Sequence, residues 1–145
     1  KLYDYDQSKS TQHASIYKDN IIESHKANTK SHIIDIQTLD NFIKESKIKN
    51  EIDFLKIDTE GSEIAVLKGA INLLTKRRIK HIQFEFNEMN VYSRVFIRDF
   101  LELLPNYDLY RMLPNGLISI MPYTPWLSEI YSYSNIFCVL KSKNI

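Results

Sequence analysis

Apolar residues recur along this chain with two different periods, and the switches between them predict its elements. Residues 52–57 carry Ile52, Phe54, Leu55 and Ile57, a short run rich in strand formers that predicts a buried strand. From residue 62 the period lengthens. Ile64, Val66, Leu67, Ala70, Ile71 and Leu74 recur every three to four positions, as on the inner face of a helix. Residues 79–86 return to a strand pattern. Upstream, Ile33, Ile34 and Ile36 predict a short strand, and Thr38 is placed to cap a helix reaching residue 46 with Leu39, Phe42 and Ile43 facing inward. Downstream, Val95, Phe96, Phe100, Leu101, Leu103 and Leu104 predict a helix over residues 92–104 that stops before Pro105. Residues 107–113 read as a strand, Pro114, Asn115 and Gly116 as a turn, 117–121 as the second arm of a hairpin and 134–141 as a final strand. Residues 4–31 are polar, anchored only by Ile16, Tyr17, Ile21 and Ile22, and read as a loop beside a short strand over residues 1–5.

Strands alternating with helices predict an α/β fold with a mainly parallel sheet, and the hairpin-like strands near the carboxyl end predict an antiparallel edge. A chain of 145 residues with 43% hydrophobic content suits one domain, here a polar loop region over residues 1–32 and an α/β core over residues 33–145. Its 19 basic and 18 acidic residues leave a net charge of +1, which gives no electrostatic reason to expect a nucleic acid or an anionic membrane as partner. Lys76, Arg77, Arg78 and Lys80 form a local basic cluster, read as a solvated connection that complements the negative end of a helix in preference to a phosphate site. The single cysteine, Cys138, excludes an intrachain disulfide and reads as a buried thiol. There is no run of 18 apolar residues and no signal-peptide pattern at the start, so no membrane span is expected and the cytoplasm is the default location.

Candidate chemistry gathers at the strand ends. Asp58, Glu60 and Glu63 follow the strand over residues 52–57, and Glu85 lies near the end of the strand over residues 79–86. In open α/β sheets these carboxyl ends face the ligand crevice. Asp58 is the first choice for a group facing reacting atoms, and Glu60 and Glu85 could converge on the same pocket. Simpler readings stand beside these: Glu60 satisfying loop amides, Glu63 as an exposed charge in the first helical turn, Glu85 paired with Lys56 or Arg94. Lys56 shares a face with Asp58 in a regular strand, which suits a carboxylate partner such as Glu85 or a substrate contact. Trp126, with Tyr123, Tyr131 and Tyr133, could stack on a sugar ring, although core packing or a dimer contact is the stronger reading. Three carboxylates could also hold a divalent cation in a hydrolase, but no metal is assigned, because no histidine is placed to assist. His81 reads as structural, and His13, His25 and His32 have no ligand-like spacing.

The gapless block Lys56, Ile57, Asp58, Thr59, Glu60, Gly61, Ser62, Glu63, followed by Leu67, Lys68, Gly69 and Ala70, resembles the signature of the FkbM family of S-adenosylmethionine-dependent methyltransferases. The IQFEFN strand over residues 82–87 and the IDIQTLDNFI segment over residues 34–43 are similar to the family's neighbouring elements, so the likeness covers residues 33–87. The resemblance implies a Rossmann-like class I methyltransferase fold, S-adenosylmethionine as cofactor with Asp58 beside it, and methyl transfer to a hydroxyl of a glycan, polyketide or other small metabolite. A homo-oligomer is compatible with it. It also implies a segment near His13 and Ser15 running beside the cofactor. The family's first strand ends in a glycine-rich turn, whereas Gly61, Gly69 and Gly116 are the only glycines here and no two form a GxG pair. The chain therefore reads as the carboxyl-terminal portion of such a domain, lacking the glycine-rich cofactor-binding half. A non-catalytic interaction or structural domain that has lost cofactor binding is the alternative.

Overall fold

The computed structural model describes residues 1–5, 14–18 and 29–142. A two-stranded antiparallel sheet pairs β1 (Leu2–Tyr5) with β2 (Thr29–His32). The main sheet has five strands: β3 (Ile52–Ile57), β4 (Ile79–Phe86), β5 (Tyr107–Leu113), β6 (Gly116–Ser119) and β7 (Ser134–Leu140), in the order β3-β4-β7-β5-β6. Among the described residues they are accompanied by the helices α1 (Leu39–Glu45), α2 (Glu63–Lys68), α3 (Ile71–Thr75), α4 (Met89–Ser93), α5 (Ile97–Leu103) and α6 (Pro125–Ser128).

Strand β4 anchors the sheet because it is paired on both sides and alternates strictly along its second half. Ile82, Phe84 and Phe86 are fully buried on one face, while His81, Gln83 and Glu85 lie half-buried on the other. Phe84 stacks on Phe100 of α5 with ring centroids 4.1 Å apart, and Phe86 meets the same ring edge-on at 6.3 Å. Ile57, Leu67, Ile97, Leu109, Ile136 and Cys138 complete this core. Cys138 is buried as its pattern predicts, and burial pushes its thiol well above the usual range.

The sheet is less parallel than the element order predicts. Strands β3 and β4 pair in parallel, as strand-helix-strand spacing requires, but β4-β7, β7-β5 and β5-β6 are all antiparallel. The antiparallel strand is not confined to an edge: β7 is inserted between β4 and β5, so that β3, β4 and β5 run one way and β6 and β7 the other. The insertion gives β7, whose Ile136 and Cys138 are both fully buried, a partner on each side and a covered face.

Three local expectations are also corrected. No strand forms over Ile33, Ile34 and Ile36, which are exposed; the strand sits just before them, at β2, where β1 supplies its hydrogen bonds. The helix after the signature loop is two short helices, α2 and α3, broken where Gly69 approaches Thr38 so closely that a Cβ would meet the Thr38 Cβ at 3.3 Å. The break leaves Ile71 exposed and puts the Gly69 carbonyl in reach of the Asp40 amide at 3.0 Å. The helix over residues 92–104 is likewise divided into α4 and α5, with Arg94 in the left-handed region at φ 56°. Thr38 does cap α1: its hydroxyl accepts from the Asn41 amide at 3.2 Å.

Candidate active site

The carboxyl ends of β3 and β4 lie side by side, with Lys56 opposite Gln83 and Ile57 opposite Phe84. Register partners share a face, so Ile57 turns with Phe84 into the core while Lys56, Gln83 and, two residues further along each strand, Asp58 and Glu85 turn to the other side. That face is polar at its end. The Lys56 ammonium sits 2.6 Å from the Asp58 carboxylate, both groups about half-exposed, and this contact raises the lysine's pKa. Glu85 is therefore not the first partner of Lys56. Its carboxylate instead accepts from the Tyr133 hydroxyl at 2.9 Å. The Asn135 amide reaches that hydroxyl at 3.4 Å, and the Gln83 amide donates to Asn135 at 2.8 Å.

The charges of Asp58 and Glu60 lie close enough to Glu85 to act on it, and of the three only Asp58 lines the neighbouring cavity. Partial burial raises the pKa of Glu85, the Tyr133 hydrogen bond opposes the rise, and the nearby charges of Asp58 and Glu60 add to it. A proton is thus held more readily on Glu85 than on an ordinary glutamate. Glu60 turns the loop in the left-handed region at φ 51°, and its carbonyl accepts from the buried Ser15 hydroxyl at 2.8 Å, which ties the amino-terminal segment to the site. Among the described residues no group of three or more histidine, cysteine, aspartate or glutamate side chains is placed to hold a metal ion.

Glu63 has the role that sequence reasoning gave to its neighbour. Far from being an exposed helix-start charge, it is 1% exposed, and its Oε1 accepts from the Thr59 amide, the Thr59 hydroxyl and the Gly61 amide, each at 3.1 Å. Burial pushes its pKa up, and hydrogen bonds from its own amide, the Gly61 and Thr59 amides and the Thr59 hydroxyl oppose the rise; Oε2 has no hydrogen-bond partner among the described residues. Glu63 therefore fixes the loop on which Asp58 and Glu60 stand. The signal was its spacing: a carboxylate three residues into a glycine-containing turn can fold back on that turn's amides.

Other expected site residues lie apart. Trp126, on α6, is 78% exposed, so it is not packed into the core. His81 is structural: Nδ1 lies 3.0 Å from the Asp53 carbonyl and the ring stacks on Phe137. His13 and His25 fall outside the described residues. A cavity of about 690 Å³ opens beside Asp58, lined mostly by apolar side chains including Ile16, Ile34, Phe42 and Val66, with Thr59 and Ser62 as polar neighbours.

The sequence profile described as "Methyltransferase FkbM domain" matches residues 2–111, most of the chain. This protein belongs to the FkbM methyltransferase family. It is also similar to the 2-O-methyltransferase NoeI of Sinorhizobium fredii (strain NBRC 101917 / NGR234), 29% identical over 85 residues. That match takes in 58% of this chain and 34% of the relative, so the shared region spans about a third of that protein's length. No solved structure matches the chain. No helix among the described residues is long and apolar enough to cross a membrane.

The cofactor implied by the FkbM family, S-adenosylmethionine, has a phosphate-free methionine arm and a ribose that need close backbone approach and a carboxylate. Gly61 lies in the loop after β3 at φ 96°, Gly69 is closed in by Thr38, and Gly116 turns the β5-β6 hairpin at φ 147°. None pairs with another to make a cradle. The residues present do not by themselves fit the whole cofactor.

Proposed function

We propose that this chain is the acceptor-facing, carboxyl-terminal portion of an FkbM-type methyltransferase domain that methylates a hydroxyl of a glycan, polyketide or other small metabolite in the cytoplasm. Bound S-adenosylmethionine would supply an electrophilic methyl group. The chain's own residues would position the acceptor and take its proton. Asp58 serves as the group facing the acceptor, held in place by Lys56, and Glu85, with its raised pKa, serves as the proton acceptor or its relay. The Tyr133 hydroxyl holds Glu85 and the Asn135 amide holds that hydroxyl, while the exposed Trp126 would stack on a sugar ring of the acceptor. Positioning and exclusion of water then supply much of the rate.

The observation that supports this reading is the placement of Asp58 just beyond β3 and Glu85 near the end of β4, on one face of two adjacent parallel strands, with Glu60 in the loop that follows Asp58. Asp58→Asn in the whole protein should cut methyl transfer by about a hundredfold while leaving the melting temperature unchanged. Parent-like activity of the variant would defeat the assignment. A second reading, a binding domain without catalysis, is favoured by the absence of any glycine pair. Calorimetry of the 145-residue chain should show no saturable binding at micromolar S-adenosylmethionine; tight binding would mean that a pocket other than a glycine cradle holds the cofactor.

A further inference from the structure

We propose that the groove between α1 and the junction of α3 with β4 binds a phosphoryl oxyanion carrying two or more negative charges, such as a diphosphate or a phosphomonoester. The groove has a volume of about 570 Å³ and is lined by Lys44, Lys47, Lys49, Lys76 and Arg78. It lies apart from the carboxylates of the candidate active site, none of which lines it.

The basic cluster of residues 76–80 divides on inspection. Arg77 is bound to the Lys141 carbonyl, and Lys80 is paired with Asp53 at 2.7 Å and Glu51 at 3.3 Å. Those two serve the structure. Lys76 faces the groove instead, where it meets lysines contributed by α1 and the turn after it. None of the four groove lysines has a carboxylate or hydrogen-bond partner for its ammonium group among the described residues.

Simple solvation of helix ends does not account for so many cations. The carboxylate in the groove, Asp40, is occupied: it accepts from the Asn72 amide and side chain, both at 2.9 Å, and from the Leu73 amide at 3.1 Å. Five cations less one for Asp40 and about one-half for each of the two helix carboxyl ends leaves an excess of about three positive charges. Like charges gathered in one concave surface repel, and a multivalent anion relieves that repulsion. The groove is also built to stay open. The Arg78 Nη2 donates to the Ile48 carbonyl at 2.9 Å and the Asn50 carbonyl at 2.8 Å, which pins the turn bearing Lys47 and Lys49 to the start of β4. Lys47 holds that turn in the left-handed region at φ 54°. Ammonium groups and a guanidinium edge around a cleft are the donor set that phosphoryl oxygens take.

Titration of the 145-residue chain with inorganic pyrophosphate, followed by calorimetry at fixed ionic strength, tests the proposal. One saturable site is expected, with affinity that falls as potassium chloride is raised. The double variant Lys44→Gln/Lys76→Gln should bind about tenfold more weakly or worse. A control, Lys30→Gln/Lys68→Gln, removes the same net charge from exposed positions elsewhere and should bind as the parent does. Should the double variant melt early, Lys49→Gln alone carries the comparison, since the exposed Lys49 side chain makes no hydrogen bond or ion pair among the described residues. Absence of saturation, or equal weakening in the control and the groove variants, would overturn the site.

Discussion

At the end of β3 a buried carboxylate gathers the loop amides; at the end of β4 two neutral amide side chains do so. Glu63 takes the Thr59 and Gly61 amides on one oxygen, whereas the Asn90 side chain accepts from the Asn87 amide at 2.9 Å and the Asn87 side chain from the Met89 amide at 2.8 Å. Glu63, Asn87 and Asn90 are all buried. The difference lies in charge. A carboxylate accepts more strongly than an amide but loses more when water is removed, so the β3 loop is held harder and responds to pH, while the β4 turn is held more weakly and does not.

Removing each clamp should expose that asymmetry. Glu63→Ala strands the buried Gly61 amide and the part-buried Thr59 amide and hydroxyl and should cost about 3 kcal/mol of stability, read as a shift in the denaturant midpoint at pH 7. Asn90→Ala strands one amide and should cost about 1 kcal/mol, with a loss that is the same at pH 5 and pH 8. If the two losses were equal, charge would not be what distinguishes the strand ends.

The pH response supplies a finer comparison. Because the folded pKa of Glu63 is raised above the ordinary glutamate value of 4.5, the native chain binds its proton more tightly than the unfolded chain does. Its contribution to stability is therefore present at low pH and declines as pH rises from about 4.5 through the raised value, by about 1.4 kcal/mol for each unit of elevation. Glu63→Gln keeps the accepting oxygen and abolishes the titration. The stability of this variant relative to the parent should rise across that window, and a flat difference would mean that the carboxylate is not desolvated.

Much of this arrangement was legible in the sequence because it is local. Alternation marks β3 and β4, Thr38 announces its own helix, and strand-helix-strand spacing puts Asp58 and Glu85 at neighbouring strand ends. What was not legible depends on distant partners. Nothing near residues 134–140 says that β7 will enter between β4 and β5, and nothing in the helical period reveals that Thr38 will press against Gly69 and divide the helix there. Glu63 was misread as exposed because its position in a first helical turn suits a solvated charge equally well; only the return of the loop over it decides its burial. Lys56 was offered Glu85 as partner, but Asp58, two residues along the same strand, is at hand without any tertiary pairing.

Among the described residues, strand β3 stands at the end of the sheet order with one hydrogen-bonded neighbour, and Phe54 is half-exposed. A strand in that position offers its free backbone groups to any extended segment that drifts past, including the same strand of another copy. The side chains along it carry alternating sign: Asp53, its carboxyl held below the usual range by Lys80, then Lys56, then Asp58. A copy approaching in an arbitrary register meets like charges as often as opposite ones and must strip their water. Charges of mixed sign along an edge strand disfavour its pairing with the same strand of another copy.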